Sequence, residues 1–399
     1  MELRNCISRF ENSNSITDVY AFLIHETMTR LAPYAEQHRD PQGPGDSRPT
    51  AVQIIEDQGL VASPSWADRV VLITGCSAGG LGPETAKAIH LTGADVFITV
   101  RDVVKGRQIA EEISKDGMPG KVEVIQMDLG SSRSVRAGAE EFLRKSDNKL
   151  NVLINNAGTF HNEFSRFRLT PTGVMFCPEG KTEDGFEIHF ATNHLGMYPA
   201  RLVSPATDMS SGHFYLFQLV KDALRSSASP SFNSRVISVS SGAHRYGAIN
   251  LDDLNFERIK YDPKAAYGQS KLANIHFANE LDRVYRSQNL RGLSLHPGGI
   301  ITPLARYLPS GALTKDIEGD PGLAKTLKNP AQGAATTVWA AVARELEGKG
   351  GIYLDEVAEA EPVPPDHVYY LGGYATQAFD PPTEKRLWAE SLRLTGLSE

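Results

Sequence analysis

The sequence predicts an α/β protein built on a doubly wound parallel sheet. An apolar run, 69–74, is followed by a glycine-rich turn and then by a helical pattern, the order of a strand, a turn and a helix. Short apolar runs then alternate with helical patterns as far as residue 295. Alternating units of this kind form parallel sheets that bind ligands at the carboxyl ends of their strands. We therefore expect one main domain over 69–399, preceded by an N-terminal arm over 1–68.

Composition argues against several classes of protein. The chain has 399 residues and a net charge of -7, so it offers no basic field to nucleic acid or to an anionic membrane. Its three cysteines form no CxxC pair, so we expect neither a metal site nor a disulfide framework. Its longest apolar stretches have the length of strands and are too short to span a bilayer. These features predict a soluble, cytoplasmic protein.

The N-terminal arm carries no catalytic pattern. Its turn-rich run 41–46 would end any preceding helix, and Thr50 can cap a short helix that continues to Leu60. The arm either packs on the domain or joins the subunits of a homo-oligomer, or it forms a partly disordered leader. The last alternative is the default for a terminal segment without a recognisable pattern.

The glycine-rich turn, residues 75–82, predicts a dinucleotide site. Its glycines let the backbone approach a pyrophosphate, whose charge the N-terminus of the next helix stabilises. The following strand, 95–100, ends at Arg101, where NAD-binding folds usually carry an acidic residue. A guanidinium there can bind a ribose 2′-phosphate through two hydrogen bonds, which favours NADP(H) over NAD(H). The alternative is a solvated arginine beside Asp102, which would leave the cofactor preference open.

Later elements continue the alternation. Further strands are predicted over 122–127, 150–155, 235–239, 292–295 and 351–354, the last as an edge strand. Residues 330–347 and 383–394 are predicted as helices, with an exposed acidic loop over 358–365 between them.

Tyr267 and Lys271 lie four residues apart in a predicted helix and therefore on one face of it. A nearby ammonium stabilises the phenolate and lowers the tyrosine pKa from its free value of about 10, which makes Tyr267 a usable acid or base. The same spacing also occurs on surface helices that have no catalytic role. The dinucleotide site predicted upstream favours the catalytic interpretation.

Five motifs, in the same order, resemble those of the short-chain dehydrogenase/reductase superfamily. They are the glycine turn after Thr74, Asn155–Gly158, the serine pair 240–241, Tyr267-x-x-x-Lys271 and His296–Gly298. Within the superfamily, residues 174–178, 181–187, 193–196 and 385–388 resemble the retinol dehydrogenase and WW-domain oxidoreductase branch. The resemblance covers about residues 69–395 and implies a Rossmann fold.

The resemblance also implies residue roles. Tyr267 exchanges the proton of the carbonyl or alcohol, while Lys271 lowers the Tyr267 pKa and holds the nicotinamide ribose. Ser241, rather than Ser240, hydrogen-bonds the substrate oxygen, and Asn193 holds a water that links Lys271 to solvent. His296 has a structural place, and Asp128 is also expected to cap the helix after the third strand. The implied cofactor contacts are Gly75, Ser77, Gly80, Leu81, Gly82, Arg101, Asp128, Leu129, Asn155, Ala157, Gly158, Tyr267, Lys271, Pro297, Gly298 and Thr302.

The sequence departs from the family pattern at three places. The glycine turn is one residue longer than the usual Thr-Gly-x-x-x-Gly-x-Gly, which predicts a one-residue bulge. Segments 159–173 and 197–212 interrupt the pattern, which resumes after each of them, and the second brings Pro199 and Pro205 into what would otherwise be one long helix. Both segments are either surface loops that form a substrate lid or introns left in the gene model. We favour introns, because codons for Gly196-Met197-Tyr198 can contain the splice-donor sequence GTATGT.

The C-terminal part, about 299–399, is expected to cover the substrate. Its apolar residues indicate a lipophilic or aromatic small molecule, with ordinary core packing as the alternative: Tyr307, Leu308, Leu313 and Leu323. We expect an NADP(H)-dependent oxidoreductase that interconverts a carbonyl and an alcohol. The alternatives are a nucleotide-binding regulatory protein without turnover, and a lyase or epimerase on the same fold.

Overall fold

A computed structural model describes residues 30–157, 179–181, 185–195, 212–300, 319–364, 367 and 371–398. Among these residues one sheet has the strand order β3-β2-β1-β4-β5-β6-β7-β8. The strands are β1 (Val70–Ile73), β2 (Asp95–Val100), β3 (Val122–Gln126), β4 (Val152–Asn155), β5 (Ser234–Val239), β6 (Leu290–His296), β7 (Ile352–Asp355) and β8 (Ala358–Glu359).

Neighbouring strands from β3 to β7 are parallel, and only the last pair, β7 with β8, is antiparallel among the described strands. The chain order reverses at β1, which pairs with β2 on one side and with β4 on the other. Ligands of doubly wound sheets bind at the carboxyl ends of the strands beside this reversal. The predicted fold class is confirmed.

One strand prediction was wrong in its placement. The segment predicted as an edge strand forms β7, which lies inside the sheet because β8 pairs with its outer side. Part of the predicted exposed loop supplies β8, which turns back through Glu356 and Val357, both with left-handed φ angles near 55° (54° and 56°). A two-residue strand is too short to show a period in the sequence.

Helices cover both faces of the sheet. The described helices are α1 (Ala35–Arg39), α2 (Ala51–Asp57), α3 (Leu81–His90), α4 (Val103–Ile113), α5 (Ser132–Lys145), α6 (Ile188–Asn193), α7 (His213–Ser227), α8 (Pro263–Tyr285), α9 (Pro321–Thr326), α10 (Pro330–Gly333), α11 (Ala335–Val342) and α12 (Pro381–Thr395). One core joins α2, α3, α4 and α11 to one face of the sheet, and a second, rich in aromatic rings, joins α5, α7, α8 and α12 to the other.

The described part of the N-terminal arm packs on the domain. Thr50 caps α2 as predicted, accepting a hydrogen bond from the Gln53 amide, and Ile54 and Ile55 are fully buried in the first core. Arg48, which is almost fully buried, pairs with Asp46 and donates to the main-chain carbonyls of residues 325, 326 and 327. This arginine therefore satisfies the carbonyl end of α9.

The ends of α6 and α7 meet as if they were one helix. The Phe214 amide donates to the His194 carbonyl at 2.9 Å, and the Leu216 amide donates to the Gly212 carbonyl at 3.0 Å. Without the sixteen residues 197–212, Phe214 would follow His194 by four positions, the spacing of an α-helical hydrogen bond. One hydrogen bond of helical spacing therefore joins α6 to α7 on the two sides of the second interrupting segment. Segment 159–173 and residues 196–211 lie outside the described residues.

Candidate active site

The catalytic helix predicted from the sequence is α8. Its N-terminus is fixed by the Asp262 carboxylate, which accepts from the Lys264 amide at 2.7 Å, and by Pro263 in the first turn. A Cβ atom at Gly268 would lie 2.8 Å from the Ala243 carbonyl oxygen. Glycine at this position therefore lets α8 approach the short 3₁₀ segment Gly242–Tyr246, which follows β5. This close approach brings Tyr267 to Ser241.

Tyr267 is buried and its hydroxyl hydrogen-bonds Ser241. Burial raises the pKa of Tyr267 to about 12, and the hydrogen bond with Ser241 acts in the opposite direction. The Ser241 hydroxyl also accepts from the Ala243 amide at 3.2 Å. Ser240 is directed elsewhere, because its hydroxyl donates to the Lys271 carbonyl at 2.7 Å. Of the two serines, Ser241 alone is placed against the tyrosine hydroxyl.

Lys271 is buried beside Tyr267. Its ammonium lies 5.7 Å from the centre of the Tyr267 ring and donates to the Val239 carbonyl at 3.3 Å. Burial lowers the pKa of Lys271 to about 8. The sequence led us to expect that Lys271 lowers the Tyr267 pKa, whereas in this structure the effect of burial on the tyrosine dominates. The pair is close enough to interact, but its charges are poorly solvated.

Asn193, at the end of α6, is joined to the catalytic helix. Its side-chain amide donates to the Ser270 hydroxyl at 2.9 Å, and that hydroxyl donates to the Tyr267 carbonyl at 2.8 Å. The structure therefore brings Ser241, Tyr267 and Lys271 together at the carboxyl end of β5 and connects Asn193 to them through Ser270.

The glycine turn fits a dinucleotide phosphate. Gly79 has a left-handed φ of 75°, and the Gly80 amide donates to the Ser77 carbonyl, which closes a tight turn that accommodates the additional residue. Helix α3 begins immediately afterwards at Leu81, and no side chain caps its N-terminus. Its first amide groups are thus directed towards the space over the turn, as an anion site requires.

Two other glycines hold the turn against the sheet. A Cβ atom at Gly75, which has a φ of 73°, would lie 2.7 Å from Ala157. A Cβ atom at Gly82 would lie 2.9 Å from Cys76. Side chains at these positions would push the turn away from β4, so both glycines are required by close packing.

Asn155 supplies an independent sign of a ligand. Its side chain is buried at the carboxyl end of β4, and neither its amide nitrogen nor its oxygen has a hydrogen-bond partner among the described residues. Buried polar groups normally find partners, so a polar ligand is the natural complement of this side chain. Together with the glycine cradle, Asn155 makes these residues fit a nicotinamide dinucleotide.

The remaining predicted cofactor residues are placed as follows. Arg101 is exposed at the end of β2, and Leu129 is buried. Asp128 is not the helix cap that the sequence suggested: its carboxylate accepts from the Gly130 amide, and Ser131 occupies the cap position of α5. Pro297 and Gly298 follow β6. Gly158 and Thr302 lie outside the described residues.

His296, for which the resemblance implied a structural place, is the last residue of β6, and its exclusion from catalysis stays a prediction. Burial and the positive charge of Lys328 lower the pKa of His296 to about 3. The neutral ring accepts a hydrogen bond from the Gly242 amide at 3.2 Å. Its role is to hold the backbone that follows Ser241.

Sequence reasoning missed three groups around the site. The His189 ring packs edge-on against Tyr267 at 5.8 Å between ring centres, and the Glu187 carboxylate accepts from His189 Nδ1 at 2.8 Å. Lys328 is buried against Gly298 and pairs with Glu356 at 3.0 Å. His213 bonds both Thr74 and Asn193. Glu187 lies in the stretch 181–187 that the sequence does single out, but His189 and Lys328 lie in none of the motifs.

A doubly wound sheet, a glycine cradle at a helix N-terminus and a Tyr–Lys–Ser cluster define a nicotinamide-dependent oxidoreductase. Residues 69–213 match the family model "short chain dehydrogenase". The short-chain dehydrogenase/reductase prx1 of Penicillium roqueforti is 42% identical over 94% of this chain and 99% of that protein. The chain belongs to the short-chain dehydrogenase/reductase family.

Other relatives agree with the branch expected from the sequence. Human retinol dehydrogenase 13 is 34% identical over 84% of this chain and 88% of that protein. A crystal structure of a protein from Mycobacterium paratuberculosis shares 30% identity, with a TM-score of 0.59 over 88% of this chain and 99% of that one. Within the described residues, no helix combines the length and the apolar character needed to cross a membrane.

Proposed function

We propose that the protein is an NADP(H)-dependent oxidoreductase that interconverts a carbonyl and an alcohol, with Tyr267 as the general acid or base. The observation that carries the proposal is the contact of the Tyr267 hydroxyl with Ser241, with Lys271 buried alongside. A protein that only bound a nucleotide would gain nothing from a proton donor, an oxygen ligand and a buried ammonium at one place.

The proton chemistry follows from these contacts. The nicotinamide, when bound, supplies or accepts the hydride. In the direction of reduction, Tyr267 gives its proton to the substrate oxygen, which Ser241 orients by a hydrogen bond. Lys271 is a buried cation beside the Tyr267 ring, and its pKa of about 8 makes it able to release a proton near neutral pH. Burial of Tyr267 and Lys271 limits the access of water to the reacting oxygen.

The choice of NADP(H) rests on the end of β2. Thr99 contacts the glycine turn, since its hydroxyl accepts from the Gly75 amide and its carbonyl from the Cys76 amide. Arg101, two residues further on, is therefore beside the dinucleotide cradle. The neighbouring Asp102 carboxylate is engaged as the cap of α4, where it accepts from the amides of residues 104 and 105. The charge and planar shape of the Arg101 guanidinium suit a 2′-phosphate.

Aromatic rings lie beside Tyr267 and support a lipophilic or aromatic substrate. His189 packs against Tyr267, and Tyr246 lies beside it at the end of the 3₁₀ segment after Ser241. From the C-terminal part, Leu323 and Leu327 are buried. We propose that this part, about 299–399, covers the substrate.

Turnover by matched variants tests the proposal. NADPH consumption is measured with a panel of ring-bearing aldehydes and ketones. Tyr267→Phe is expected to lower kcat by about 10²–10⁴-fold, the usual contribution of a general acid. Tyr215→Phe is the control, because Tyr215 is buried away from the site and its hydroxyl has no partner among the described residues. Equal rates for Tyr267→Phe and the parent enzyme would refute the assignment, and isomerisation or elimination without net NADPH consumption would indicate an epimerase or lyase.

A second pair of variants tests cofactor preference. Arg101→Ala is expected to raise KM for NADPH about 10–100-fold, as for the loss of a charge-assisted hydrogen bond, and to leave KM for NADH nearly unchanged. Arg107→Ala removes an exposed arginine of α4 and serves as the control for net charge. Equal effects of Arg101→Ala on both cofactors would remove the basis for NADP(H).

A further inference from the structure

His213 lies between the cofactor turn and the catalytic residues. It is almost fully buried at the start of α7, where its Nε2 atom is 2.9 Å from the Thr74 hydroxyl oxygen and its Nδ1 atom is 3.0 Å from the Asn193 carbonyl oxygen. Thr74 is the residue immediately before the glycine turn. One imidazole therefore touches the segment expected to hold the dinucleotide and a member of the catalytic group.

The protonation of this ring follows from its partners. A carbonyl oxygen can only accept, so Nδ1 carries the hydrogen and donates to Asn193. Burial lowers the pKa of His213 to about 3, so the ring is neutral at working pH and Nε2 accepts from the Thr74 hydroxyl. The Thr74 oxygen in turn accepts from the amides of Asn156 and Ala157 at 3.1 and 3.0 Å. Every donor in this set has an acceptor.

The hydrogen bonds continue into the catalytic helix. The Asn193 side-chain amide donates to the Ser270 hydroxyl, which in turn donates to the Tyr267 carbonyl. A continuous buried chain thus runs from the amides that follow β4, through Thr74, His213, Asn193 and Ser270, to the backbone of Tyr267. Chains of buried hydrogen bonds reinforce one another and fix the geometry of the groups they join.

We propose that His213 is a positioning residue that couples the cofactor turn to the catalytic group, holding Thr74 through Nε2 and Asn193 through Nδ1. The inference rests on the proposed oxidoreductase function and adds a residue to its machinery. A residue with two separable contacts should have two separable effects: loss of the Thr74 contact weakens cofactor binding, and loss of the Asn193 contact lowers kcat.

Two conservative variants separate the contacts. The side-chain nitrogen of asparagine is as far from Cβ as Nδ1 of histidine, so His213→Asn can keep the donor to Asn193. The side-chain oxygen of glutamine is as far from Cβ as Nε2, so His213→Gln can keep the acceptor for Thr74. His213→Phe removes both. His194→Phe is the control, because His194 is equally buried, has a pKa also lowered by burial to about 3, and its side chain hydrogen-bonds Ser391 rather than Thr74 or Asn193.

The experiment measures NADPH binding by fluorescence titration, kcat and KM by NADPH consumption, and the melting temperature of each full-length variant. His213→Phe should lower kcat and weaken NADPH binding, each about 5–50-fold, as for a buried polar group that loses its partner. His213→Asn should have a kcat near that of the parent but weakened NADPH binding. His213→Gln should bind NADPH nearly as tightly as the parent but have a lowered kcat. The control should change only the melting temperature.

Several results would overturn the inference. The inference is wrong if His213→Phe has the kcat and the NADPH affinity of the parent enzyme. It is also wrong if all three His213 variants lose kcat and NADPH affinity equally and in proportion to their loss of melting temperature. If His213→Phe does not fold, the opposite rescue patterns of the asparagine and glutamine variants decide. If the parent enzyme consumes no NADPH, the proposed function fails, and NADPH affinity alone decides between His213→Asn and His213→Gln.

Discussion

Deleting residues 197–212 should leave the active site intact and stabilise the protein. A hydrogen bond of helical spacing already joins the described residues on either side, since the His194 carbonyl accepts from the Phe214 amide at 2.9 Å. Both sides of the junction are anchored in the interior, because Phe190, Leu195 and Phe214 are fully buried. The deletion would convert α6 and α7 into one helix without moving these anchors.

The size of the effect follows from the entropy of closing a loop. Holding together the ends of sixteen residues costs about 2.5 kcal/mol, from (3/2)RT ln n, and the deletion removes that cost. A chain of this length unfolds with an entropy of about 0.8 kcal/mol per kelvin, so the melting temperature should rise by about 3 °C. The covalent link would also reduce fraying at the ends of α6 and α7, and Asn193 lies at one of these ends.

The assay compares calorimetric melting, NADPH affinity and turnover of three proteins: the parent, the deletion, and a variant in which residues 197–211 are replaced by a glycine–serine segment of equal length. The deletion should melt higher and bind NADPH at least as tightly, whereas the replacement should melt like the parent because the number of residues between α6 and α7 is unchanged. Loss of folding or of NADPH binding in the deletion would show that the segment belongs to the enzyme. The same result would refute the interpretation as a retained intron, which the cDNA sequence tests directly.

Three further predictions concern described residues with matched controls. Gly75→Ala should abolish NADPH binding, measured by fluorescence, because its Cβ would lie 2.7 Å from Ala157, whereas Gly117→Ala, with a similar φ of 74° but open space around it, should retain binding. Arg48→Ala should lower the free energy of unfolding by about 3–5 kcal/mol, because the main-chain carbonyls of residues 325–327 lose their buried donor and Asp46 loses its cation, whereas Arg39→Ala, in an exposed pair, should change it by less than about 1 kcal/mol in denaturant titrations. Burial lowers the pKa of Lys271 to about 8 from an unfolded value of 10.5, so between these pH values the unfolded state binds more protons and stability rises with pH. Lys271→Met should lessen this rise by up to about 1.4 kcal/mol per pH unit in urea titrations, and an unchanged rise would show that the ammonium is solvated.

The sheet was predictable because each buried parallel strand is a short apolar run between turns. Strand β2 was predicted with both of its observed ends, Asp95 and Val100. The outermost strand was not, because two residues cannot show a pattern and β8 exists only through pairing with β7. The helix predicted over 330–347 is divided into α10, α11 and a short 3₁₀ turn, since Ala343 adopts an extended conformation that composition does not reveal.

In the candidate site, too, the residues of short sequence motifs were predictable, and the effects of contacts between distant segments were not. Tyr267, Lys271 and Ser241 belong to local motifs, and a motif can be read without knowing what surrounds it. The direction of the shift in the Tyr267 pKa could not be predicted, because it depends on burial by distant segments. Burial raises this pKa and so opposes the lowering expected from Lys271.

His213 and Lys328 make contacts with residues that are far from them in the sequence. Thr74 and His213 are 139 positions apart, and Lys328 reaches Glu356 from beyond the last nucleotide-binding motif. Such residues have neutral or compensated side chains that serve geometry rather than chemistry, so no spacing rule identifies them. Their effect is nevertheless local: each fixes a backbone segment that carries a motif residue, His213 at Asn193 and Lys328 at Gly298. The motifs therefore identify the candidate reacting groups, and the packing around these groups sets the geometry that the proposed reaction requires.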